Sequence, residues 1–227
     1  MLQASPALRI CADAHEQAVI KDDEYGIRGI QRGDPGVEYV VDIGGNVGCF
    51  TIQVLNHFPG ASVLCCEPDT ENMKYAMLNV NEVHPGCHVS FVPKAIVGDP
   101  ELKEVTFNVC GWGGNHHVDG HFRWDLFTPM GSRLDHQVQC AAITLKEIVD
   151  QYGFPRIDLL KIDCEGLEGI ILQGFKPWMH LVNHFRGEWH GQEDIPLIQD
   201  ALGATHGVIF DRRFPTHGDI VAERKPA

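Results

Sequence analysis

The chain has 227 residues, 44% of them hydrophobic, which is enough to bury a sizeable core as one domain. Its 31 Asp and Glu against 18 Lys and Arg give a formal charge of −13, which argues against a nucleic-acid backbone as substrate, because that needs a basic footprint. No apolar run approaches the roughly 18 residues that cross a membrane, and no basic region followed by an apolar one marks a signal peptide. The eight cysteines include no C-x-x-C pair and several sit in apolar runs, which suits reduced thiols in a cytoplasmic protein better than a disulfide framework.

In chain order, residues 1–36 are polar and weakly periodic, with a helix expected near Asp13 to Val19 and a turn at Gly33-Asp34-Pro35-Gly36. Asp22 to Gly26 either folds over a ligand mouth or belongs to a plain cap helix and linker. Residues 37–227 read as the main domain. Tyr39-Val40-Val41 is a buried strand that ends in Asp42 and breaks into Gly44, Gly45 and Gly48, with Asn46 between them; Cys49 to His57 then continues as a helix. Glycines there let the backbone turn sharply and approach a ligand closely, while the new helix opens with unsatisfied N–H groups. The spacing is not that of a G-x-G-x-x-G dinucleotide fingerprint, since Asn46 stands where a second alternating glycine belongs.

Ala61 to Cys66 reads as the next strand, ending in Glu67-Pro68-Asp69. Glu67 lies about 20 residues beyond the glycine turn, as an acid binding ribose hydroxyls does. Thr70 to Val83 reads as a helix whose Met73, Ala76, Met77 and Val80 face the core. A third strand follows at Val89 to Val92 and runs into Lys94-Ala95-Ile96-Val97-Gly98. Glu104–Val109 and Gln137–Ile143 look like an added hairpin, an insertion spanning about 104–142. Between its strands, Cys110 to Leu134 is rich in glycine, histidine and aromatics, and its length suits a substrate-covering loop. His116, His117 and His121 include an i, i+4 pair, but Gly113, Gly114 and Gly120 oppose a helix there and no H-E-x-x-H accompanies them, so no metal is expected. Thr144 and Glu147 form a capping box ahead of a helix. Ile157 to Asp163 is a buried strand ending in Asp163-Cys164-Glu165-Gly166-Leu167-Glu168, with a helix from Leu167 to Gln173. His184 to His190 is a fifth strand, Ile195 to Leu202 a helix, and Thr205–Phe210 with Asp219–Glu223 a closing antiparallel pair. Acids at three strand ends would converge on the carboxyl edge of one parallel sheet, where open α/β folds bind ligands.

The segments V-V-D-I-G-G-N-V-G-C-F-T, C-E-P-D and L-L-K-I-D-C-E-G-L-E-G-I-I-L-Q-G resemble the FkbM family of S-adenosylmethionine-dependent methyltransferases, in the same order across roughly Val37 to Trp189. The resemblance implies an α/β class I methyltransferase (Rossmann-like) fold: a seven-stranded sheet with helices on both faces, plus the inserted strand pair and loop. It implies S-adenosylmethionine as cofactor and O-methylation of a hydroxyl on a sugar, polyketide or other small natural product. Glu67 would take the ribose diol. Gly44, Gly45 and Gly48 would bring main chain to the methionine portion and ribose, with Asn46 and Pro68 beside them, Ala95 near the adenine, and Asp42 and Asp163 lining the pocket. For the proton of the acceptor hydroxyl, Asp163, Glu165 and His190 are the candidates, His190 because its intrinsic pKa is closest to neutral. Glu168 has a plainer reading as a first-turn helix carboxylate, and Glu188 as a partner of Arg186 or Lys161. The partner expected is a small-molecule acceptor, with no nucleic acid and no membrane; a homo-oligomer is left open. Two other classes compete: an NAD-dependent oxidoreductase and a non-catalytic nucleotide-binding module.

Overall fold

The structure, a computed structural model, describes residues 16–31, 36–110, 117–118, 134–211, 214–215 and 217–226. The loop expected between Cys110 and Leu134 lies largely outside them, as does the start of the helix expected near Asp13 to Val19, whose described part belongs to a π-helix over Glu16–Lys21. The main sheet is built from β1 (Tyr39–Ile43), β2 (Ser62–Cys66), β3 (His88–Val92), β8 (Ile157–Ile162), β9 (Val182–His190), β10 (His206–Phe210) and β11 (His217–Arg224). Their spatial order is β3-β2-β1-β8-β9-β11-β10. All neighbours up to β9 run parallel, and β11 is antiparallel to both β9 and β10. The expected seven strands and closing antiparallel pair are therefore present.

Alternation along the central strands sorts their side chains onto two faces. Val40, Val63 and Leu159 join one core with Phe50, Ile52, Val54 and Leu55 of helix α1 (Cys49–His57), and Val80 of α2 (Thr70–Val83) closes it. Val19, Tyr25, Ile27 and Ile30 from the N-terminal segment pack into this same core. On the other face Val41, Ile43, Leu64, Leu160 and Ile162 pack against α3 (Leu145–Gln151), α4 (Glu168–Phe175) and α5 (Asp194–Leu202). With both faces covered, β8 is buried along its whole length, as a central parallel strand is.

The stretch after the third strand does not extend the main sheet. Pro93 lacks an N–H for the ladder, the chain turns at Lys94, whose N–H donates to Val92 O (2.9 Å), and Ala95–Val97 becomes a separate strand, β4. It pairs with β7 (Leu134–Thr144), Ala95 opposite Ala142, and β7 pairs in turn with β5 (Glu104–Cys110) as the expected hairpin. The two-residue β6 (His117–Val118) completes this second sheet.

The capping box at Thr144 forms: its hydroxyl accepts from Glu147 N–H and the Glu147 carboxylate accepts from Thr144 N–H (2.9 Å). That backbone bond, with Lys103 and the Thr144 hydroxyl, holds the Glu147 carboxyl down at about 2. A lowered carboxyl stabilises the fold above its ordinary range and stops doing so as pH falls through the folded value. Glu147→Gln should therefore lower the thermal midpoint by about 1–2 °C at neutral pH, and that gap should close as pH falls from about 4.5 towards 2.

Candidate active site

The glycine turn is folded by the neighbouring strand. Gly44 and Gly45 N–H both donate to Cys66 O (3.0 and 2.9 Å), tying the loop after β1 to the end of β2. Gly44 has φ +76, and a Cβ there would lie 1.7 Å from Asp163 O. A Cβ on Gly45 would meet Cys65 Sγ at 2.5 Å, and Gly48 at φ +90 starts α1 against Ala76 of α2. Asn46 takes the left-handed φ of +46 that Asn tolerates. Its N–H donates to Glu67 Oε2 (2.9 Å), while Glu67 Oε1 accepts from Asp69 N–H (2.8 Å). The acid at the end of β2 thus stands directly against the glycine loop, and Asp69, next along, caps α2 by accepting from Glu71 and Asn72 N–H. Pro68 lies half-buried between the two acids.

Asp42 is fully buried, and register gives it a counter-charge. The β1–β8 pairing sets Asp42 beside Lys161, a cross-strand pair on one face. Lys161 Nζ is 3.4 Å from Asp42 Oδ1, 3.8 Å from Asp163 Oδ2 and donates to Gly44 O at 2.6 Å. Burial alone would depress this ammonium, but Asp42 and Asp163 raise it above its ordinary value, so it is charged. Asp42 Oδ2 accepts from the Thr51 hydroxyl (2.8 Å), so the residue is a structural anchor of the turn in this arrangement. Tyr25, arriving from the N-terminal segment, donates its hydroxyl to Asp163 Oδ2 (2.9 Å) and meets Phe50 edge-on at 5.3 Å. Burial, then Asp163, push the Tyr25 phenol up, which keeps it a donor.

The ends of β8 and β9 bring the three expected proton-handling residues together: one ligating atom each of Asp163, Glu165 and His190 lies within 4.8 Å of the others. Glu165 has φ +58 and Gly166 +107, a reversal that turns the Glu165 carboxylate back over the strand end. His190 Nδ1 is 3.0 Å from Glu168 Oε1; its Nε2 is 3.6 Å from Glu165 Oε2 and 3.4 Å from Glu188 Oε2. Burial alone would lower the imidazole, but Glu168 and Glu165 raise it well above its ordinary value, whereas burial pushes Glu165 up to about 8. Glu188 is raised too, by burial first and then Asp163. His217 stacks on His190 with ring centroids 6.5 Å apart, and the exposed Phe214 stacks on His217 at 4.4 Å.

Two readings of single residues change. Glu188 does not pair with Arg186, which binds Glu223 (2.7 Å), nor with Lys161, which faces Asp42 and Asp163; it faces His190. Glu168 is more than a first-turn carboxylate. It is fully buried, and it accepts from Cys164 N–H (2.9 Å), Gly166 N–H (3.0 Å) and the His190 ring, clasping the reversal onto β9. The E-G-L-E spacing contained that residue, but only the strand pairing reveals its target. Tyr25 lies in the Asp22 to Gly26 segment expected either over a ligand mouth or in a cap and linker, but its bond to Asp163, 138 residues away, had no sequence signal. Ala95, expected near an adenine, is buried in β4 of the second sheet, opposite Ala142. His116 and His121 lie outside the described residues.

A sheet in this order, parallel through β9 with β11 inserted antiparallel beside it, with a glycine turn after its first strand and an acid closing its second, is that of the class I S-adenosylmethionine-dependent methyltransferases. Within that class, the family model for the methyltransferase FkbM domain matches residues 42–212, and the chain belongs to this family. It is 23% identical over 180 residues to "Methyltransferase 1" of Beauveria bassiana (strain ARSEF 2860), covering 75% of this chain and 70% of that protein. The METTL16 methyltransferase domain aligns with a TM-score of 0.52 at 11% identity over 91% of this chain and 66% of that domain, so the chain spans just under two thirds of its length. Magnesium protoporphyrin IX methyltransferase of Synechocystis PCC 6803, solved with bound S-adenosylmethionine, gives 0.49 at 13% identity over 98% of this chain and 86% of that one. Likeness at these identities is one of fold. No helix among the described residues is long and apolar enough to cross a membrane.

Proposed function

We propose that this methyltransferase acts on a hydroxyl oxygen of a small molecule such as a sugar or polyketide, with the acceptor seated at Asp163, Glu165 and His190. The observation that carries the reading is the meeting of these residues beside the glycine loop, with Gly44 packed on the Asp163 carbonyl. A Cβ at Gly44 or Gly45 would strike Asp163 O or Cys65 Sγ, so these glycines let the loop pack tightly on the strand ends where the site residues meet. When bound, S-adenosylmethionine supplies an electrophilic methyl group. Gly44, Gly45, Asn46 and Gly48 would hold its methionine portion and ribose, Glu67 the ribose hydroxyls, Pro68 and Ala95 the adenine side; Asp42 and Asp163 anchor the pocket. The chain's own task is positioning, since holding an acceptor oxygen in line about 3–3.5 Å from its target supplies much of the acceleration. Asp163 and Glu165 offer the oxygens that take the hydroxyl's hydrogen bond and proton, with His190 beside them as a donor to the acceptor. The thiols of Cys65, Cys66 and Cys140, all buried and in no disulfide, support a reducing cytoplasmic setting.

Calorimetric titration with S-adenosylhomocysteine and with NAD tests the reading, on the wild type and on Glu67→Ala. Saturable binding of the first alone, weakened at least tenfold in the variant, is expected. Transfer of a labelled methyl group to a hydroxyl-bearing acceptor then completes the test. Binding of NAD alone would overturn the methyltransferase reading, and binding of neither would leave only the fold.

A further inference from the structure

We infer that Asp163, Glu165 and His190 form a binding site for a divalent first-row cation of the Mn2+ type. Two carboxylates and one imidazole, from the ends of adjacent strands, present their ligating atoms within 4.8 Å of one another. The 3.6 Å between His190 Nε2 and Glu165 Oε2 is long for a hydrogen bond. It suits two ligands of one ion, because donors ~2.1–2.2 Å from a shared centre stand about 3.0–3.6 Å apart at octahedral to tetrahedral angles.

The histidine is also held as a ligand is held. Its Nδ1 faces Glu168, a fully buried carboxylate whose remaining bonds go to Cys164 and Gly166 N–H. A carboxylate behind one ring nitrogen fixes the ring and aims the other nitrogen at the metal, the arrangement that recurs around metal-binding histidines. Here that other nitrogen faces Glu165 and, at 3.4 Å, Glu188. Four carboxylates (Asp163, Glu165, Glu168 and Glu188) thus surround one imidazole, and the nearby ammonium of Lys161 is already shared with Asp42. Mixed imidazole and carboxylate donors suit Mn2+ better than Ca2+, which takes oxygen ligands alone. The consequence for the reaction rests on the proposed function: a cation here takes the acceptor hydroxyl as a further ligand and makes it more acidic.

The test uses the full chain, stripped of metal, titrated with Mn2+ alone and followed by water-proton relaxation. One saturable site is expected, with a dissociation constant below about 100 μM and at least tenfold weaker binding in Glu165→Gln, whose folding is checked by its thermal midpoint. NMR of the wild type needs no variant: bound Mn2+ should broaden the His190 ring signals before those of His57, His88 or His206. No saturable binding, or broadening that spares His190, overturns the site and leaves an ion-pair network in its place. S-adenosylhomocysteine titrated into the same samples keeps the two readings apart, because cofactor binding without Mn2+ binding sinks only the cation site, and the reverse sinks only the methyltransferase reading.

Discussion

Gly44→Ala is expected to abolish S-adenosylhomocysteine binding and to destabilise the fold by about 4 kcal/mol or more. Two independent effects combine at this position. An alanine at φ +76 sits in left-handed space, which costs roughly 1–2 kcal/mol. Its methyl would also lie 1.7 Å from a backbone oxygen, that of Asp163, which no rotamer change can move aside. Relief requires parting the ends of β1 and β8, and that breaks the Asp163 N–H bond to Ile43 O (3.1 Å). Losses of this size are exceptional for one methyl group and identify overpacking against main chain. Urea unfolding measures the stability and calorimetry the binding. A variant that binds the ligand normally with an unchanged midpoint would show that the loop does not contact Asp163 as described. Gly60→Ala is the control, because a Cβ there meets nothing within 4 Å.

Lys161→Met is expected to cost about 3–5 kcal/mol, the range for leaving one partner of a buried ion pair uncompensated. The ammonium is 3% exposed and Asp42 is 0% exposed, so water cannot replace the lost charge. Methionine has a similar volume, which separates the electrostatic loss from a cavity. The second variant decides the cause: Lys161→Met combined with Asp42→Asn removes the buried cross-strand pair and should recover at least half of the loss, because the carboxylate that remains near the site, Asp163, is partly exposed. Strict additivity of the two substitutions in urea unfolding would mean that the pair does not interact across the strands. The single variant should also loosen the Gly44 turn, whose carbonyl the ammonium holds at 2.6 Å, and weaken S-adenosylhomocysteine binding in parallel.

What could be read in advance was local. The run Val40-Val41-Asp42-Ile43 followed by glycines specified a strand and a sharp turn through neighbouring residues alone, as did Thr144 with Glu147 for a helix start. The same holds for Glu67, whose place at the end of β2 follows from the apolar run before it. Register was not legible. Asp42 and Lys161 are lateral neighbours only because β8, not β3, inserts beside β1, and 119 positions of sequence say nothing of that. The attachment of Glu168 to His190 likewise depends on β9 lying next to β8. The diversion of Ala95–Val97 into a second sheet was not legible either, because it depends on the β7 partner.

The neighbour relation between β1 and β8 also governs how the protein comes into being on the ribosome. Until residue 161 has emerged, a nascent chain holds β1, β2 and β3 with Asp42 on a strand that has no ammonium beside it. Contacts this distant in sequence form slowly, and unpaired strand edges in such a partial sheet are exposed to aggregation. The glycine-loop half of the fold is therefore completed only once β8 has been translated, and until it docks the open edge of β1 favours aggregation.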